Sequence, residues 1–166
     1  GADVMDFHGL EALQCMVERR RGEESGVASV QMVEGDAVWK AGAEGRYSKE
    51  LLTAALSRSD SPQGQSVVDG RTQDLVAKGE LPKLVKTPAA YFIEYRDGLK
   101  ATLLMLNGAV KDFNFAARIK GGGIQSTQFF SDSITGGSAG AQFAGTQKQG
   151  TMQLHVLRFN ANPLTK

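Results

Sequence analysis

Apolar and polar residues alternate along most of residues 89–130, and a period of two is typical of β-strands. Runs rich in aromatic and β-branched residues are separated by Asp97-Gly98, by Asn107-Gly108 and by the glycines at 121–123. Asp-Gly and Asn-Gly between such runs are strong hairpin signals, since these residues tolerate positive φ. The pattern therefore predicts one antiparallel meander with tight turns over residues 91–130.

The first part of the chain has a helical period instead. Leu10, Leu13, Met16 and Val17 share one side of a helix, and charged residues occupy the other side. This spacing predicts an amphipathic helix over residues 9–20. The basic run at its end, residues 19–21, is expected to compensate the helix dipole.

A strand and further helices are predicted between this helix and the meander. The run VASVQMV after Gly26 alternates, which predicts a strand with Ala28, Val30 and Met32 facing the core. Ser48 is a suitable N-cap for a second helix over KELLTAALSRS. Short helical turns are expected in RTQDLVAKG and LPKLVK.

These elements together predict an α+β fold, in which an open antiparallel β-sheet (a meander) is packed on one face by two or three helices. We expect residues 1–130 to form one helix-plus-antiparallel-sheet domain. Residues 60–70 are predicted to be a solvated loop, and residues 131–150 a Gly-rich loop. Residues 151–166 are expected to add an edge strand and a tail to the same domain.

Composition narrows the class of protein. The 166 residues include 19 basic and 18 acidic side chains, and the net charge of +1 gives no steering toward nucleic acid or an anionic membrane. No apolar run approaches the roughly 18 residues of a membrane span. The one cysteine, Cys15, excludes an intrachain disulfide and is expected to be a buried structural thiol. We therefore expect a soluble, cytoplasmic protein, and Gly1 in place of Met suggests a processed chain or a piece of a longer one.

The acid and imidazole residues in closest spacing are Asp6, His8 and Glu11. If residues 3–8 end a strand and a helix begins at Gly9, Asp6 and His8 point the same way and Glu11 follows one turn later. Such a corner could hold a general base oriented by a carboxylate, or two to three metal ligands. The alternative is helix capping, because Asp and Glu at a helix start interact favourably with its dipole.

Other motifs indicate structure more than chemistry. The glycines at 121–123 lack the G-x-G-x-x-G spacing of a dinucleotide-binding loop and predict a turn. P-loop, H-E-x-x-H and C-x-x-C motifs are not found in the sequence. The aromatic residues of the predicted sheet are expected to pack in the core, and Trp39 is expected to be a packing anchor.

Two segments resemble a known family. GADVMDFHGLEALQCMVERRRGEESGVASVQ and YFIEYRDGLKATLLMLNGAVKDFNFAARIKG are similar to the carboxy-terminal domain of the glucose-fructose oxidoreductase and inositol dehydrogenase family. In that family the domain supplies substrate contacts and an oligomer interface, while a separate Rossmann domain binds NAD or NADP. The resemblance implies His8 as the catalytic histidine and Asp6 as its carboxylate, and Glu11, one helical turn further on, is expected to contact substrate.

Two functions follow as expectations. The first is the substrate-binding and oligomerisation domain of a sugar or polyol NAD(P)-dependent oxidoreductase, which holds no cofactor in this chain and is inactive without a Rossmann domain. The second is a non-catalytic binding or assembly module that uses the sheet face as a protein interface. Both predict a homo-oligomer and no nucleic-acid or membrane partner.

Overall fold

The structure is a computed structural model that describes residues 3–22, 25–59, 73–110 and 112–130. These residues form an α+β fold with an open antiparallel sheet, as predicted. Their elements, in chain order, are α1 (Asp3–Val17), β1 (Val27–Glu34), α2 (Asp36–Ala43), α3 (Lys49–Leu56), α4 (Gln73–Ala77), α5 (Leu81–Leu84), β2 (Ala89–Tyr95), β3 (Lys100–Met105), β4 (Phe113–Arg118) and β5 (Ile124–Phe130). The predicted loops at 60–70 and 131–150, and the edge strand in 151–166, lie outside the described residues.

The larger sheet has the order β1-β2-β3, with both pairs antiparallel. A four-residue connection over 96–99 joins β2 to β3, and the Tyr95 N–H donates to the Leu99 carbonyl at 2.9 Å to close it. Gly98 has φ +84°, a conformation that a residue with a Cβ rarely adopts. The turn predicted at Asp97-Gly98 is therefore confirmed.

The prediction of a single meander over residues 91–130 is wrong, because β4 pairs with β5 in a separate two-stranded sheet. The chain does turn at Asn107-Gly108, where the Ala109 and Val110 N–H groups donate to the Leu106 carbonyl at 3.0 and 3.1 Å. However, Leu106 and Ala109 are both buried in the main apolar cluster. Burial of these two side chains draws the connection into the core and separates β4 from β3.

Helices pack on both faces of the larger sheet, not on one face as predicted. On one face, Leu10, Leu13 and Val17 of α1 pack against Ile93 and Tyr95. Leu104 of β3 points to the other face and packs against a cluster from α3, α4, α5 and the β3–β4 connection. The buried members of that cluster are Leu56, Leu75, Leu81, Val85, Leu106 and Ala109. Because successive side chains of a strand point to opposite faces, β3 contributes apolar side chains to the core on both faces of the sheet.

Predictions for single helices are confirmed where they rested on a capping residue or on a stripe of apolar residues. Ser48 caps α3 by accepting a hydrogen bond from the Leu51 N–H at 3.2 Å. Met16 packs with Phe115 and Ala117 of β4, so α1 contacts both sheets. Trp39 of α2 packs at the edge of the main cluster, as expected of an anchor.

Cys15 is exposed, so the expectation of a buried thiol is wrong. It lies two positions from Leu13 and Val17, and at about 100° per residue it falls on the opposite side of the helix from their buried stripe. Among the described residues no helix has the length and apolarity needed to cross a membrane.

Candidate functional site

Asp6 lies on α1 and faces the larger sheet. It is only 8% exposed, and its Oδ2 accepts a hydrogen bond from the Tyr91 hydroxyl on β2 at 2.6 Å. Its Oδ1 is buried without a hydrogen-bond partner. A buried hydrogen-bond acceptor without a partner is unfavourable by about 1–3 kcal/mol. Asp6 Oδ1 therefore retains the capacity to accept a hydrogen bond.

His8 and Glu11 form a second polar pair on the same helix. His8 Nδ1 lies 3.0 Å from Glu11 Oε2, the i,i+3 spacing at which helix side chains meet. The Phe7 ring packs edge-on against the His8 ring with centroids 5.7 Å apart. Glu11 is exposed and His8 is partly buried, which places this pair at the surface.

The predicted corner of Asp6 and His8 does not form, because residues 3–17 are one continuous helix and not a strand followed by a helix. Two positions along a helix differ by about 200° in direction, so the side chains point to different sides of α1. Asp6 pairs with Tyr91 and His8 pairs with Glu11. The roles of His8 and Asp6 in catalysis and of Glu11 in substrate binding remain hypotheses.

A metal centre receives no support in the described part of the chain. Within residues 3–22, 25–59, 73–110 and 112–130, no three His, Cys, Asp or Glu side chains gather closely enough to hold a metal ion.

Two further polar clusters tie elements together. Arg20 is buried, stacks over the Tyr95 ring at 4.9 Å, and donates to Asp97 at 2.8 Å and to the Val17 carbonyl at 2.8 Å. The Arg20 guanidinium, followed by the Leu99 N–H, lowers the pKa of the Asp97 carboxyl below its ordinary value. None of the basic residues of the run lies in the last turn of α1, and of the three it is Arg20 that donates to the Val17 carbonyl at the end of the helix, from the interior.

The second cluster centres on the buried Asp112. Its carboxylate accepts hydrogen bonds from Ser59, Asn114 and Gln128 at 2.8–3.1 Å. These donors come from the end of α3, from β4 and from β5 respectively. The arrangement connects three elements and has the character of a structural node.

The most unusual surface lies along β1. Among the described residues, the large apolar side chains that are exposed are Phe7 (58%), Val30 (58%), Val27 (42%) and Met32 (42%). We call these four residues the apolar strip. Three lie on β1, opposite Tyr95, Ile93 and Tyr91 of β2, and directly opposed residues share one face of a sheet. Because those β2 residues face α1, the strip lies on the α1 face.

Phe7 belongs to the same surface. On α1, Asp6 contacts β2 through Tyr91, and Gly9 lies against Leu103 of β3. With about 100° per residue, Gly9 and Phe7 lie on opposite sides of Asp6, so Phe7 points away from β3 and toward β1. α1 covers β2 and β3 and leaves the β1 side chains beside it open.

The prediction that Ala28, Val30 and Met32 face the core identified the correct face for Val30 and Met32 but the wrong burial, and the pairing register shifts at Ala28, between Val27 and Ser29. Val30 and Met32 are exposed, because no helix among the described residues covers β1 on that face. The opposite face is better covered: Arg46 stacks over the Phe92 ring at 3.9 Å and donates to Gln31 at 2.7 Å. The signal available from sequence was the run of uncharged residues in β1.

Comparison with known proteins adds no assignment: no family model, no curated protein and no solved structure matches this chain.

Proposed function

We propose that this chain is a non-catalytic assembly module that associates with itself through the α1 face of the larger sheet at the β1 side. The observation that carries the proposal is the apolar strip, in which three of the four exposed large side chains share one face of β1. Scattered exposed apolar residues are ordinary, whereas contiguous ones mark interaction surfaces. Two polar pairs that lie apart on α1 support a catalytic reading less well.

The chemistry of β1 fits this role. Among the described strands β1 is at the edge of its sheet, and its residues 27–33 contain neither a charge nor a proline. Monomeric proteins protect edge strands with lysine, proline or a covering segment, since open backbone groups invite pairing with another chain. A net charge of +1 adds little repulsion between copies.

Val30→Lys tests this surface. Sedimentation of the unmodified chain at tens of micromolar should show species larger than a monomer. The lysine places a charge at the centre of the apolar strip, so we expect the dissociation constant to rise at least about tenfold. Gln125→Lys is the matched control, an exposed position on β5 of the other sheet, and it should leave association unchanged. A monomeric unmodified chain, or equal effects of the two lysines, would contradict the proposal.

The second candidate is the substrate-binding domain of a sugar or polyol oxidoreductase. The observation in its favour is the buried Asp6, whose Oδ1 is unpaired beside the Tyr91 hydroxyl. The unpaired carboxylate oxygen can accept a hydrogen bond from a substrate hydroxyl, while the Tyr91 hydroxyl, which donates to Oδ2, holds the carboxylate in place. His8 and Glu11 would lie on the adjoining surface of the helix, and hydride transfer would need a cofactor on a Rossmann domain.

Calorimetric titration of this chain with NAD and NADP should give no saturable heat. Dinucleotide affinity requires backbone N–H groups at a helix N-terminus reached through a Gly-rich turn, and the sequence contains no G-x-G-x-x-G. A dissociation constant in the micromolar range would overturn the view that the chain lacks a dinucleotide site. Titration after Asp6→Asn would then show whether Asp6 contributes.

A further inference from the structure

The backbone of β1 has a defined set of groups directed to its outer edge, which no other strand in the described part of the chain pairs with. The Gly35 N–H donates to the Pro88 carbonyl at 2.9 Å, and the same register continues to the Val33–Ala90 and Gln31–Phe92 pairs. Hydrogen-bonded and non-hydrogen-bonded pairs alternate along an antiparallel ladder. Gln31 and Val33 therefore direct their N–H and C=O groups to β2, whereas Val30 and Met32 direct theirs outward.

Charge is distributed unevenly along this edge. Glu34 and Asp36 are exposed at the C-terminal end of β1. At the N-terminal end, the exposed Arg96 lies beside Gly26, with its N–H donating to the Gly26 carbonyl at 2.9 Å. β1 thus has an acidic C-terminal end and an uncharged middle, while its N-terminal end is preceded by Glu23 and Glu24 in the sequence and lies beside Arg96.

These two features identify a partner. We infer that the open edge of β1 pairs with β1 of a second copy, antiparallel, to form a continuous six-stranded sheet. Antiparallel pairing keeps the acidic ends of the two strands, with Glu34 and Asp36, far apart, whereas parallel pairing would place these like charges together. The inference rests on the proposed function and adds the mode of pairing to it.

The apolar strip favours one register. A two-fold axis at Gln31 places Val30 of each copy opposite Met32 of the other, so the strips of the two copies adjoin on one face. In this register the outward groups of Val30 and Met32 form the hydrogen-bonded pairs, as their direction requires. An axis at Val30 would place Met32 opposite the small Ala28 and bury less apolar surface. The symmetric contact is isologous, so it closes at the dimer.

The register predicts a specific cross-link. At the two-fold axis, Gln31 meets itself as a non-hydrogen-bonded pair, with Cα atoms about 4.5 Å apart. That separation lies within the range of disulfides, about 4.4–6.8 Å. Ser29 lies on the same face as Gln31 and is equally exposed, yet four residues along antiparallel strands separate it from its symmetry mate, about 14 Å.

The test uses Gln31→Cys and Ser29→Cys, each with the exposed Cys15 replaced by serine, and oxidation with diamide under non-reducing electrophoresis. We expect Gln31→Cys to form a covalent dimer at least about tenfold faster than Ser29→Cys. Val30→Lys added to Gln31→Cys should abolish the cross-link. In parallel, sedimentation of the Cys15→Ser chain measures whether the chain associates.

The outcomes separate the two proposals. If the chain associates in sedimentation but Gln31→Cys does not cross-link faster than Ser29→Cys, pairing through β1 is overturned and self-assembly stands. A cross-link only between Gln31→Cys and Ser29→Cys chains would overturn the register, because it places the axis at Val30. A monomer in sedimentation, with no cross-link, overturns both.

Discussion

Replacing Asp112 with alanine should lower the free energy of unfolding by about 3 kcal/mol or more. The carboxylate is buried and accepts hydrogen bonds from Ser59, Asn114 and Gln128. Alanine offers these partly buried donors no acceptor, and an unpaired donor in the interior is unfavourable by about 1–3 kcal/mol, with partly buried ones at the lower end. Because total stability of a domain is about 5–15 kcal/mol, the loss should be plain in urea denaturation.

Two further variants test whether the lost hydrogen bonds to Asp112 cause the loss of stability. Asp112→Asn keeps one carbonyl oxygen but adds two donors, so it should also destabilise, by less than alanine does. Glu94→Ala removes an exposed carboxylate that lies 3.9 Å from Lys100, and should change the free energy of unfolding by at most about 1 kcal/mol. An Asp112→Ala chain as stable as Glu94→Ala would show that the node does not hold α3 to the β4–β5 hairpin.

Arg20→Met should lower the free energy of unfolding by about 2–4 kcal/mol at neutral pH. Methionine keeps much of the apolar stem, but it loses the hydrogen bond to the buried Val17 carbonyl and the stacking over Tyr95. Arg118→Met is the matched control, since Arg118 forms an exposed ion pair with Glu50. Surface pairs contribute about 0–1 kcal/mol, so a control as damaging as Arg20→Met would contradict the structural role of Arg20.

Arg20 should also determine how stability responds to acid. The pKa of Asp97 is lowered in the folded state, chiefly by the Arg20 guanidinium, so the unfolded chain takes up a proton at this position first as the pH falls. Its contribution to stability is therefore full above the unfolded pKa, near 3.8, and is lost as the pH falls through the folded pKa. In Arg20→Met this component of the acid dependence should largely disappear, and unfolding curves measured from about pH 2 to 5 would detect it. An unchanged acid slope would show that Asp97 gains its low pKa elsewhere.

The sequence by itself determined the features that depend on neighbours in the chain. The α1 stripe of Leu10, Leu13 and Val17, the Ser48 cap and the turn at Asp97-Gly98 were all predictable. Each follows from a local period or a local backbone preference, and so each can be read from a short window.

Gly9 shows where local reasoning failed. A glycine suggests a helix boundary, and the prediction accordingly began the helix there. In the structure α1 runs through it, and a Cβ at this position would lie 3.0 Å from Leu103 Cδ2. The glycine allows α1 to approach β3, a requirement set by a strand far along the chain. The wrong helix start in turn produced the wrong geometry for Asp6 and His8.

Tertiary structure alone decided the candidate site and the exposed surface. Tyr91 meets Asp6 across 85 positions and Asp97 meets Arg20 across 77, and no local pattern encodes either pair. The alternation in β1 predicted correctly which face Val30 and Met32 share. Both side chains are exposed because α1 lies over β2 and β3 and not over β1. A period specifies which side chains share a face, whereas only the packed fold determines what covers that face.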